Sequence, residues 1–414
     1  MKKVIFIFVV IYCLFNITQA QTGWFSVTTP INNLELRQIQ FTSENTGYAI
    51  GNAELFDSCY LLKTTNGGTN WQSIYIDSLW GSSIFFIDNN TGFIAGQNPS
   101  GIIMKTTNGG FNWIKQAEGF TTCFYTVFFL DHNTGYAGGR WETVVKTTNG
   151  GNNWISKPGA LGLHFRDIYF FNANTGFVFG QSDIINRTTN GGDNWIQYYG
   201  NHNFNSISFV NNNTGYINSE ENGYSIVFKT INAGENWIFT DSIPNRLFSI
   251  FFTNLNTGYA CGDDWVYKTT NAGINWVMQT PSSIYHIWFS ILFFNENTGF
   301  IAGYNGIIMK TTNGGNVFVK NISTEIPSAF SLGQNYPNPF NSMTNVKFEM
   351  LNGGEVKIVV YDISGREVRT LVDERLEAGV YEVRFDAGDL PSGIYFYRME
   401  TEKFTETKKL ILLK

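Results

Sequence analysis

Cysteine and charge are both scarce in this chain of 414 residues. Cys13 lies in an expected leader, and Cys59, Cys123 and Cys261 stand at unrelated spacings without a CxxC pair, so no disulfide framework is indicated. Charged residues make up 14% of the chain and the formal net charge is −6, whereas binding to phosphate backbones needs a basic excess. Nucleic acid is therefore not an expected partner.

Residues 1–20 have the pattern of a secretory signal. Lys2 and Lys3 precede an apolar stretch from Val4 to Phe15, and Thr18-Gln19-Ala20 suits cleavage before Gln21. The apolar stretch is too short to span a bilayer, and no later stretch reaches about eighteen consecutive apolar residues. We therefore expect residues 1–20 to be a signal peptide and the mature chain to be soluble and exported, with no transmembrane segment.

The chain is dominated by repetition. The residues from Lys63 read KTTNGGTNW, and related copies begin at Lys105, Lys146, Arg187, Lys229, Lys268 and, in decayed form, Lys310. A second marker, NTG followed by an aromatic residue, alternates with the first and has its glycine at Gly47, Gly92, Gly135, Gly176, Gly215, Gly258 and Gly299. The two markers together define seven units of about forty residues each.

Each unit has the pattern of four short β-strands. In the second unit, SIFFI, TGFIAG, GIIMKTT and NWIK are rich in β-branched and aromatic residues and are separated by Asn and Gly turns. Sheets that are apolar on both faces must stack on their neighbours, and seven of them set radially close into a β-propeller. A β-solenoid is the competing repeat fold. Gly23-Trp24-Phe25 resembles the start of a fourth strand without its own unit and suits ring closure beside the last copy.

The KTTNGG stretch supplies turn chemistry. Asn66 can bond its own backbone, Gly67 and Gly68 can take positive φ, and Trp71 begins the next strand with a large apolar group. Over residues 24–322 the pattern resembles the Asp-box or BNR repeat of sialidase-type and sortilin-type propellers, with Asn in place of Asp. In tandem sevenfold form it is most similar to the photosystem II stability and assembly factor family. The resemblance implies that these turns are structural, and we expect Lys63 and its equivalents to be solvated.

The last ninety or so residues differ in composition, and alternating residues in 356–360, 380–385 and 394–398 predict a small antiparallel sandwich. This part resembles the type A C-terminal sorting domain of the type IX (Por) secretion system. The matching residues are Asn335, Tyr336, Pro337, Asn338, Pro339, Phe340, Tyr361, Asp362, Gly365, Arg366, Ala378, Gly379, Ser392, Gly393, Tyr395, Tyr397, Lys408 and Lys409. The resemblance implies recognition by the outer-membrane translocon, removal by its sortase-like processing machinery, and a product released from or fixed to a Gram-negative cell surface.

These patterns predict an all-β chain: a seven-bladed β-propeller followed by a small Ig-like β-sandwich. The expected boundaries are a propeller at 21–323, a linker at 324–334 and a sorting domain at 335–414.

A propeller puts the loops between fourth and first strands, and between second and third strands, on one face. We call this the variable face, because its residues differ from unit to unit whereas the NTG and KTTNGG turns repeat on the opposite face. Aromatic platforms with polar neighbours suit sugars or peptide segments. Candidate ligand residues on the variable face are Trp80, Arg140, Trp141, Glu142, His164, Arg166, Arg246, Asp263, Asp264, Trp265, His286 and Trp288.

Two functional classes compete for this face. The preferred interpretation is a non-enzymatic binding or scaffold module for an extracellular glycan or protein, without cofactor or metal; His164, His202 and His286 belong to different units and do not indicate a metal site. The alternative is a sialidase-like glycoside hydrolase, for which Arg37, Arg166 and Arg246 would have to cluster. The N-terminal Arg-Ile-Pro signature of sialidases is absent, and so are HExxH, GxSxG, phosphate-loop and EF-hand motifs.

Overall fold

The structure is a computed structural model of the chain. It describes residues 23–53, 58–120, 122–181, 183–200, 202–279, 286–315, 319–323, 325–341, 343–387 and 390–413. The expected signal peptide, residues 1–20, lies outside these ranges. Among the described residues, no helix has the length and apolar character needed to cross a membrane. The described chain is all-β and forms two compact units, residues 23–316 and a unit that begins at residue 317.

The first unit is the predicted seven-bladed propeller, built from seven antiparallel four-stranded sheets. The first four blades contain β2–β5 (Leu34–Phe41, Gly47–Ala53, Cys59–Thr64, Gln72–Ile76), β6–β9 (Trp80–Phe86, Gly92–Asn98, Ser100–Thr106, Ile114–Phe120), β10–β13 (Phe124–Phe129, Gly135–Gly139, Val144–Thr147, Ile155–Ser156) and β14–β17 (His164–Phe170, Gly176–Gln181, Ile184–Thr188, Ile196–Tyr199). Blades five and six contain β18–β21 (Asn203–Phe209, Gly215–Glu221, Tyr224–Thr230, Ile238–Ile243) and β22–β25 (Leu247–Phe252, Gly258–Gly262, Val266–Thr269, Val277–Gln279).

The seventh blade is completed by the start of the described chain. Its sheet contains β26 (Trp288–Phe293), β27 (Gly299–Gly303), β28 (Ile308–Thr311) and, as fourth strand, β1 (Phe25–Val27), with Phe25 opposite Lys310. In blades one to six the tryptophan of the KTTNGG repeat lies edge-on against a phenylalanine of the first strand, with ring centroids 5.8–6.4 Å apart. Trp24 makes the same contact with Phe293 at 5.7 Å. The N-terminal strand therefore supplies the tryptophan that the decayed seventh repeat lacks.

Aromatic rings also join each blade to the next. The residue after each NTG glycine lies over the first-strand phenylalanine of the following blade, as Tyr48 does over Phe86 with centroids 3.5 Å apart. Phe300 closes the circle on Phe41 at 4.6 Å. Each stacked pair adds dispersion contact to the apolar area that it buries. The repeated Phe and Tyr/Phe positions of the sequence are thus the contacts that hold neighbouring blades together.

The KTTNGG turns are held by their own side chains. The Thr64 hydroxyl accepts from the Gly68 N–H at 3.0 Å and donates to Asn66 Oδ1 at 3.0 Å, and Asn66 Oδ1 accepts from the Asn70 N–H at 2.9 Å. Thr hydroxyls accept in this way in all seven turns. Gly67 and Gly68 have φ of 65° and 80°, which favours glycine. These contacts make the turns structural elements.

The repeated lysines are not simply solvated, and that prediction was wrong. Lys63 Nζ donates to the Gly109 carbonyl in the turn of the next blade at 2.9 Å, and the same link occurs at Lys105, Lys146, Arg187, Lys268 and Lys310. Lys63 Nζ also lies 5.5 Å from the Tyr48 ring centroid, and burial lowers its pKa. These six cations therefore connect turns of adjacent blades, which come close enough for one side chain to reach.

A second polar ring runs nearer the axis. Nine residues before each NTG glycine stands a polar side chain: Gln38, Ser83, Thr126, Asp167, Ser206, Ser249 or Ser290. Six of the seven accept a hydrogen bond at 2.8–3.4 Å from a backbone N–H of the following blade. Asp167 is the acidic member, and it accepts from the N–H groups of Ile168 and Ile207 at 2.8 and 3.2 Å.

The second unit is a β-sandwich of two four-stranded sheets, β29-β34-β31-β30 and β33-β32-β35-β36. Its strands are β29 (Val319–Ser323), β30 (Ser331–Leu332), β31 (Met343–Met350), β32 (Gly354–Tyr361), β33 (Glu367–Leu376), β34 (Gly379–Asp386), β35 (Gly393–Thr401) and β36 (Thr405–Leu412). Residues 319–323, expected in the propeller, pair with β34 instead, and β30 lies inside the expected linker. Composition could not show this, because a short strand belongs to the sheet that pairs with it.

Candidate functional site

A β-bulge in every first strand builds the centre of the propeller. Pairing between first and second strands shifts register at the same place in all seven blades. The extra residue of each bulge stands ten positions before the NTG glycine: Arg37, Ser82, Tyr125, Arg166, Asn205, Phe248 and Phe289. Bulges re-aim side chains, and all seven of these residues line one cavity. Since every blade contributes one residue, the cavity lies on the propeller axis.

The axial cavity has a volume of about 360 Å³. Its wall is completed by Trp80 and His164, which lie two residues before Ser82 and Arg166 in their strands, and by Gln181. Aromatic faces, amides, a hydroxyl and cations thus converge, while the described lining includes no Asp or Glu. The volume is at the small end of the range for ligand pockets, so the cavity suits a small group better than a folded partner.

The two arginines of the cavity have different surroundings. The Arg37 guanidinium forms an ion pair with Glu35 at 2.7 Å and lies 4.8 Å from the centre of the Phe289 ring. Arg166 donates to the neutral amide oxygen of Asn205, and Asn205 is itself fixed by donating to the Leu247 carbonyl at 2.9 Å. Burial lowers the pKa of Arg166, as does Arg246, while Glu220 opposes them. Arg166 is therefore held as a cation that faces a neutral partner.

His164 links the cavity to the surface. Its ring stacks on Tyr125 with centroids 5.4 Å apart and lies edge-on to Trp141 at 6.5 Å. Burial, then Arg140 and Arg166, lower the pKa of His164. The imidazole is therefore neutral at pH 7, and the cationic character of this region comes from its arginines.

Trp141 is presented to solvent by an unusual turn. Trp141 and Glu142 have φ of 57° and 60° between β11 and β12, where two-residue turns favour Asn and Gly. Blade five has Asn222-Gly223 at the corresponding turn. The Trp141 N–H donates to the Leu163 carbonyl at 2.8 Å, the Arg140 guanidinium lies 5.2 Å from its ring centre, and the side chain is 58% exposed. Backbone strain often persists at functional sites, so this turn with its exposed tryptophan is a candidate for contact with a ligand.

The other candidates separate into a second cluster and a buried residue. Arg246 Nε lies 2.9 Å from Glu220 and its Nη1 4.0 Å from Asp263, and burial raises the pKa of Asp263. The Asp264 N–H donates to the His286 carbonyl at 2.7 Å, and Trp265 is half-buried. Trp288 is fully buried in the core between blades six and seven, so its selection as a ligand residue was wrong. Glu142 is exposed.

Two of the three arginines named for the hydrolase alternative, Arg37 and Arg166, line the axial cavity. Arg246 lies beside the cavity, with its guanidinium 5.4 Å from the ring of the lining residue Phe248 and ion-paired with Glu220. Within the described ranges, no group of three or more His, Cys, Asp or Glu side chains is placed to hold a metal ion. Sequence patterns did not single out Ser82, Tyr125, Gln181, Asn205, Phe248 or Phe289 as site residues. Gln181 is the last residue of β15. The other five are bulge residues, and a strand pattern of period two does not reveal that a bulge turns a side chain inward.

The sorting-type motif residues divide into buried and exposed sets. Asn335 is buried; its N–H donates to the Tyr397 hydroxyl at 2.8 Å and its amide to Thr344 Oγ1 at 3.0 Å. Phe340 is buried and its N–H donates to the Ile411 carbonyl at 3.0 Å. These bonds fasten the NYPNPF segment onto β31, β35 and β36.

The remaining motif residues shape a turn and a surface. The Asp362 carboxylate accepts from the Arg366 N–H and Nε at 3.1 Å around Gly365, whose φ is 80°. Tyr395 is buried, Tyr361 lies 5.0 Å beneath the Arg398 guanidinium, Gly393 begins β35, and Lys408 pairs with Glu406 at 2.6 Å. The exposed members are Tyr336, Pro337, Pro339, Gly365, Arg366, Ser392 and Lys409. These residues are the part of the motif that another protein can reach.

Fold and motifs together define the class: a seven-bladed repeat propeller joined to a C-terminal sorting domain of the type IX secretion system. The family model of the photosynthesis system II assembly factor YCF48 matches residues 17–119 and 115–199. The model of the secretion system C-terminal sorting domain matches residues 334–413. The chain thus combines a YCF48-like propeller with a sorting tail, and that tail indicates export to the cell surface or into the medium.

Solved structures show the same fold. YCF48 bound to D1 peptide is 17% identical with a TM-score of 0.58, covering 71% of this chain and 98% of its own. YCF48 from Cyanidioschyzon merolae is 18% identical with a TM-score of 0.57, covering 70% and 98%. PorZ, a surface component of the type IX secretion system of Porphyromonas gingivalis, is 14% identical with a TM-score of 0.55, covering 92% of this chain and 59% of its own. No curated protein matches the chain.

Proposed function

We propose that the propeller is a binding or scaffold module for an extracellular glycan or protein and that its ligand enters from the variable face. The observation that carries this proposal is the axial cavity, whose aromatic and cationic wall continues through Tyr125 and His164 to the exposed ring of Trp141. Such a mixture of flat apolar surfaces and convergent polar groups is typical of ligand sites. A propeller of similar fold has been solved with a peptide bound, which supports a binding role for this architecture.

Hydrolysis is not part of the proposal. Most glycosidases place two carboxyl groups on either side of the scissile bond, about 5–10 Å apart, and a sialidase, whose nucleophile is a tyrosine, still needs a carboxylate beside that nucleophile. The described lining of the cavity offers cations and amides in their place. The carboxylates of Glu35 and Glu220 are ion-paired with Arg37 and Arg246. The site is thus better equipped to hold a ligand than to transfer protons to it.

A binding screen tests the proposal. The full chain without residues 1–20 is presented to arrays of extracellular glycans and to surface proteins, with sialidase and glycosidase substrates as turnover controls. Saturable binding that Trp141→Ala weakens supports a module working through the variable face. Phe111→Ala is the matched control, because Phe111 is similarly exposed but lies in a turn on the opposite face. Turnover of a glycoside, or binding that neither substitution changes, would contradict the proposed site.

A second experiment tests the tail. Since β29 belongs to the sandwich, the deletion should begin at residue 317 rather than inside a sheet. In a bacterium with a type IX system, the truncated chain should stay in the periplasm while the full chain reaches the surface or medium. Undiminished export of the truncated chain would contradict the role of the tail.

A further inference from the structure

We propose that the axial cavity binds the carboxylate of a terminal acidic sugar and that Arg166 is the residue that holds this anion. The inference deepens the proposed function and rests on it, because it names the ligand class of the same cavity. The charge of the cavity wall differs in sign from the net charge of the chain. The chain has a formal net charge of −6, yet the described cavity wall contains two arginines and no acid.

Of the two arginines in the cavity wall, Arg166 is the better placed to donate hydrogen bonds to an anion. The charge of Arg37 is already neutralised by Glu35 at 2.7 Å, so the electrostatic attraction between Arg37 and a ligand anion is weaker. The hydrogen-bond partner that the structure gives Arg166 is the amide oxygen of Asn205, and a guanidinium has five N–H donors. Because Asn205 is anchored on the Leu247 carbonyl, it positions Arg166 without cancelling its charge. Glu220 acts on Arg166 electrostatically, but its carboxylate is ion-paired with Arg246 at 2.9 Å. A carboxylate can then complete a bidentate pair with the guanidinium.

The rest of the wall favours a sugar ring. Ser82 and Gln181 offer a hydroxyl and an amide, which can donate to or accept from sugar hydroxyls, and Trp80, Phe248 and Phe289 offer flat apolar faces. A volume of about 360 Å³ accommodates one or two sugar rings. The terminal unit of a sugar chain therefore enters the cavity, and the chain does not pass through the propeller. The exposed Trp141 ring can then support the next unit of the chain outside the cavity.

The position of His164 gives the site a pH signature. Burial and two arginines lower the pKa of His164, so its imidazole carries no charge at pH 7. An anion held by Arg166 should bind with constant affinity from pH 7 to pH 9, since the guanidinium stays protonated throughout. An anion held by a histidinium would instead be released as the pH rises through the pKa of that group.

Calorimetry of the full chain without residues 1–20 tests the inference, with glucuronate and N-acetylneuraminate as acidic probes and glucose as the neutral probe. Arg166→Gln should weaken binding of the acidic probes by about ten- to a hundredfold, the usual effect of losing a charged hydrogen-bond partner, and leave glucose binding unchanged. Arg166→Lys, which keeps the charge but not the fork, should retain part of the affinity. Arg366→Gln removes the same charge from the sandwich and should change nothing. Unfolding midpoints of all variants confirm that they fold.

Acetate and short peptides with a free C-terminal carboxylate form a separate arm. If they bind as tightly as the acidic sugars, the cavity is a peptide or general carboxylate site and the inference is wrong. It is also wrong if wild type binds glucose and glucuronate equally, or if both Arg166 variants bind like wild type. If the inference fails in any of these ways while the screen still yields a ligand sensitive to Trp141→Ala, the proposed function stands. If the screen yields no such ligand, the proposed function fails as well.

Discussion

Replacing Asp167 with asparagine removes an ionisable carboxyl group from the polar ring between the blades. The other members of that ring are Ser, Thr and Gln, which stay neutral. Burial raises the pKa of Asp167 to about 7, although the N–H groups of Ile168 and Ile207 oppose this change. The folded protein therefore binds a proton more tightly than the unfolded chain. A charged Asp167 costs stability above pH 7, and that cost is relieved as the pH falls from 7 towards 4.

The magnitude follows from the two pKa values. Folding raises the pKa from 3.8 to about 7, and each pKa unit is about 1.4 kcal/mol. The ionised carboxylate thus costs up to about 4 kcal/mol at pH 8, and partial solvent contact reduces this to about 2 kcal/mol. Asparagine resembles the protonated acid in shape and charge, so Asp167→Asn should stabilise the propeller by about 2 kcal/mol at pH 8 and by much less at pH 5.

Tryptophan fluorescence provides a selective assay, because all eleven tryptophans lie at or before Trp288 and report on the propeller alone. Urea unfolding of both proteins at pH 5, 6, 7 and 8 gives the difference in unfolding free energy at each pH. Asp193→Asn is the matched control: the ammonium of Lys157 lowers the pKa of Asp193, and Asn152 occupies the same turn position in blade three. Its effect should not vary between pH 5 and pH 8. A difference for Asp167→Asn that is equally flat would refute the buried-carboxylate argument.

Other substitutions test the contacts that build the ring and the site. Trp24→Ala should destabilise the propeller by about 3–5 kcal/mol in the same urea assay, since it empties the position against Phe293; a loss below about 1 kcal/mol would contradict its role in closing blade seven. Thr106→Ala leaves the buried Gly110 N–H without its acceptor and should cost about 1–3 kcal/mol, whereas Thr106→Ser should cost less. Exchanging Trp141-Glu142 for Asn-Gly should raise stability by about 1–2 kcal/mol by relieving strain while weakening ligand binding; unchanged binding would remove Trp141 from the site.

The fold was predictable because the repeat is regular. Seven copies of two turn motifs, with Ile/Val and Phe at fixed distances before each NTG glycine, favour a closed ring of four-stranded sheets that packs these repeated apolar positions between blades. The lysine links were not predictable in the same way. A lysine at a strand end is compatible with solvent, and its partner carbonyl in the next blade is set by the angle between blades. Similarly, β29 could be assigned to its sheet only once β34 was seen to pair with it.

The site was predicted in outline but not in its centre. Residues in loops, such as Trp141 and Arg246, could be selected because they vary against a monotonous repeat. The axial residues Tyr125, Asn205 and Phe289 belong to strands, and alternation along a strand predicts side chains only on the two faces of the sheet. In every blade the bulge turns one side chain towards the propeller axis instead. In a repeat protein, the column of residues beside a register shift is therefore as informative as the loops.

Closure of the seven-bladed ring by β1 affects how the propeller folds and how it unfolds. Thr29 hydrogen-bonds the Gly306 carbonyl, 277 positions later in the chain, and Lys310 reaches back to Gly67. An open array of repeats gains stability one neighbour at a time and can fray from either end. Here the last interface forms only when nearly the whole propeller is in place, which is slow because the loop to be closed is long. Once formed, the ring has no terminal repeat, so loss of any one blade interface is felt by all seven blades together.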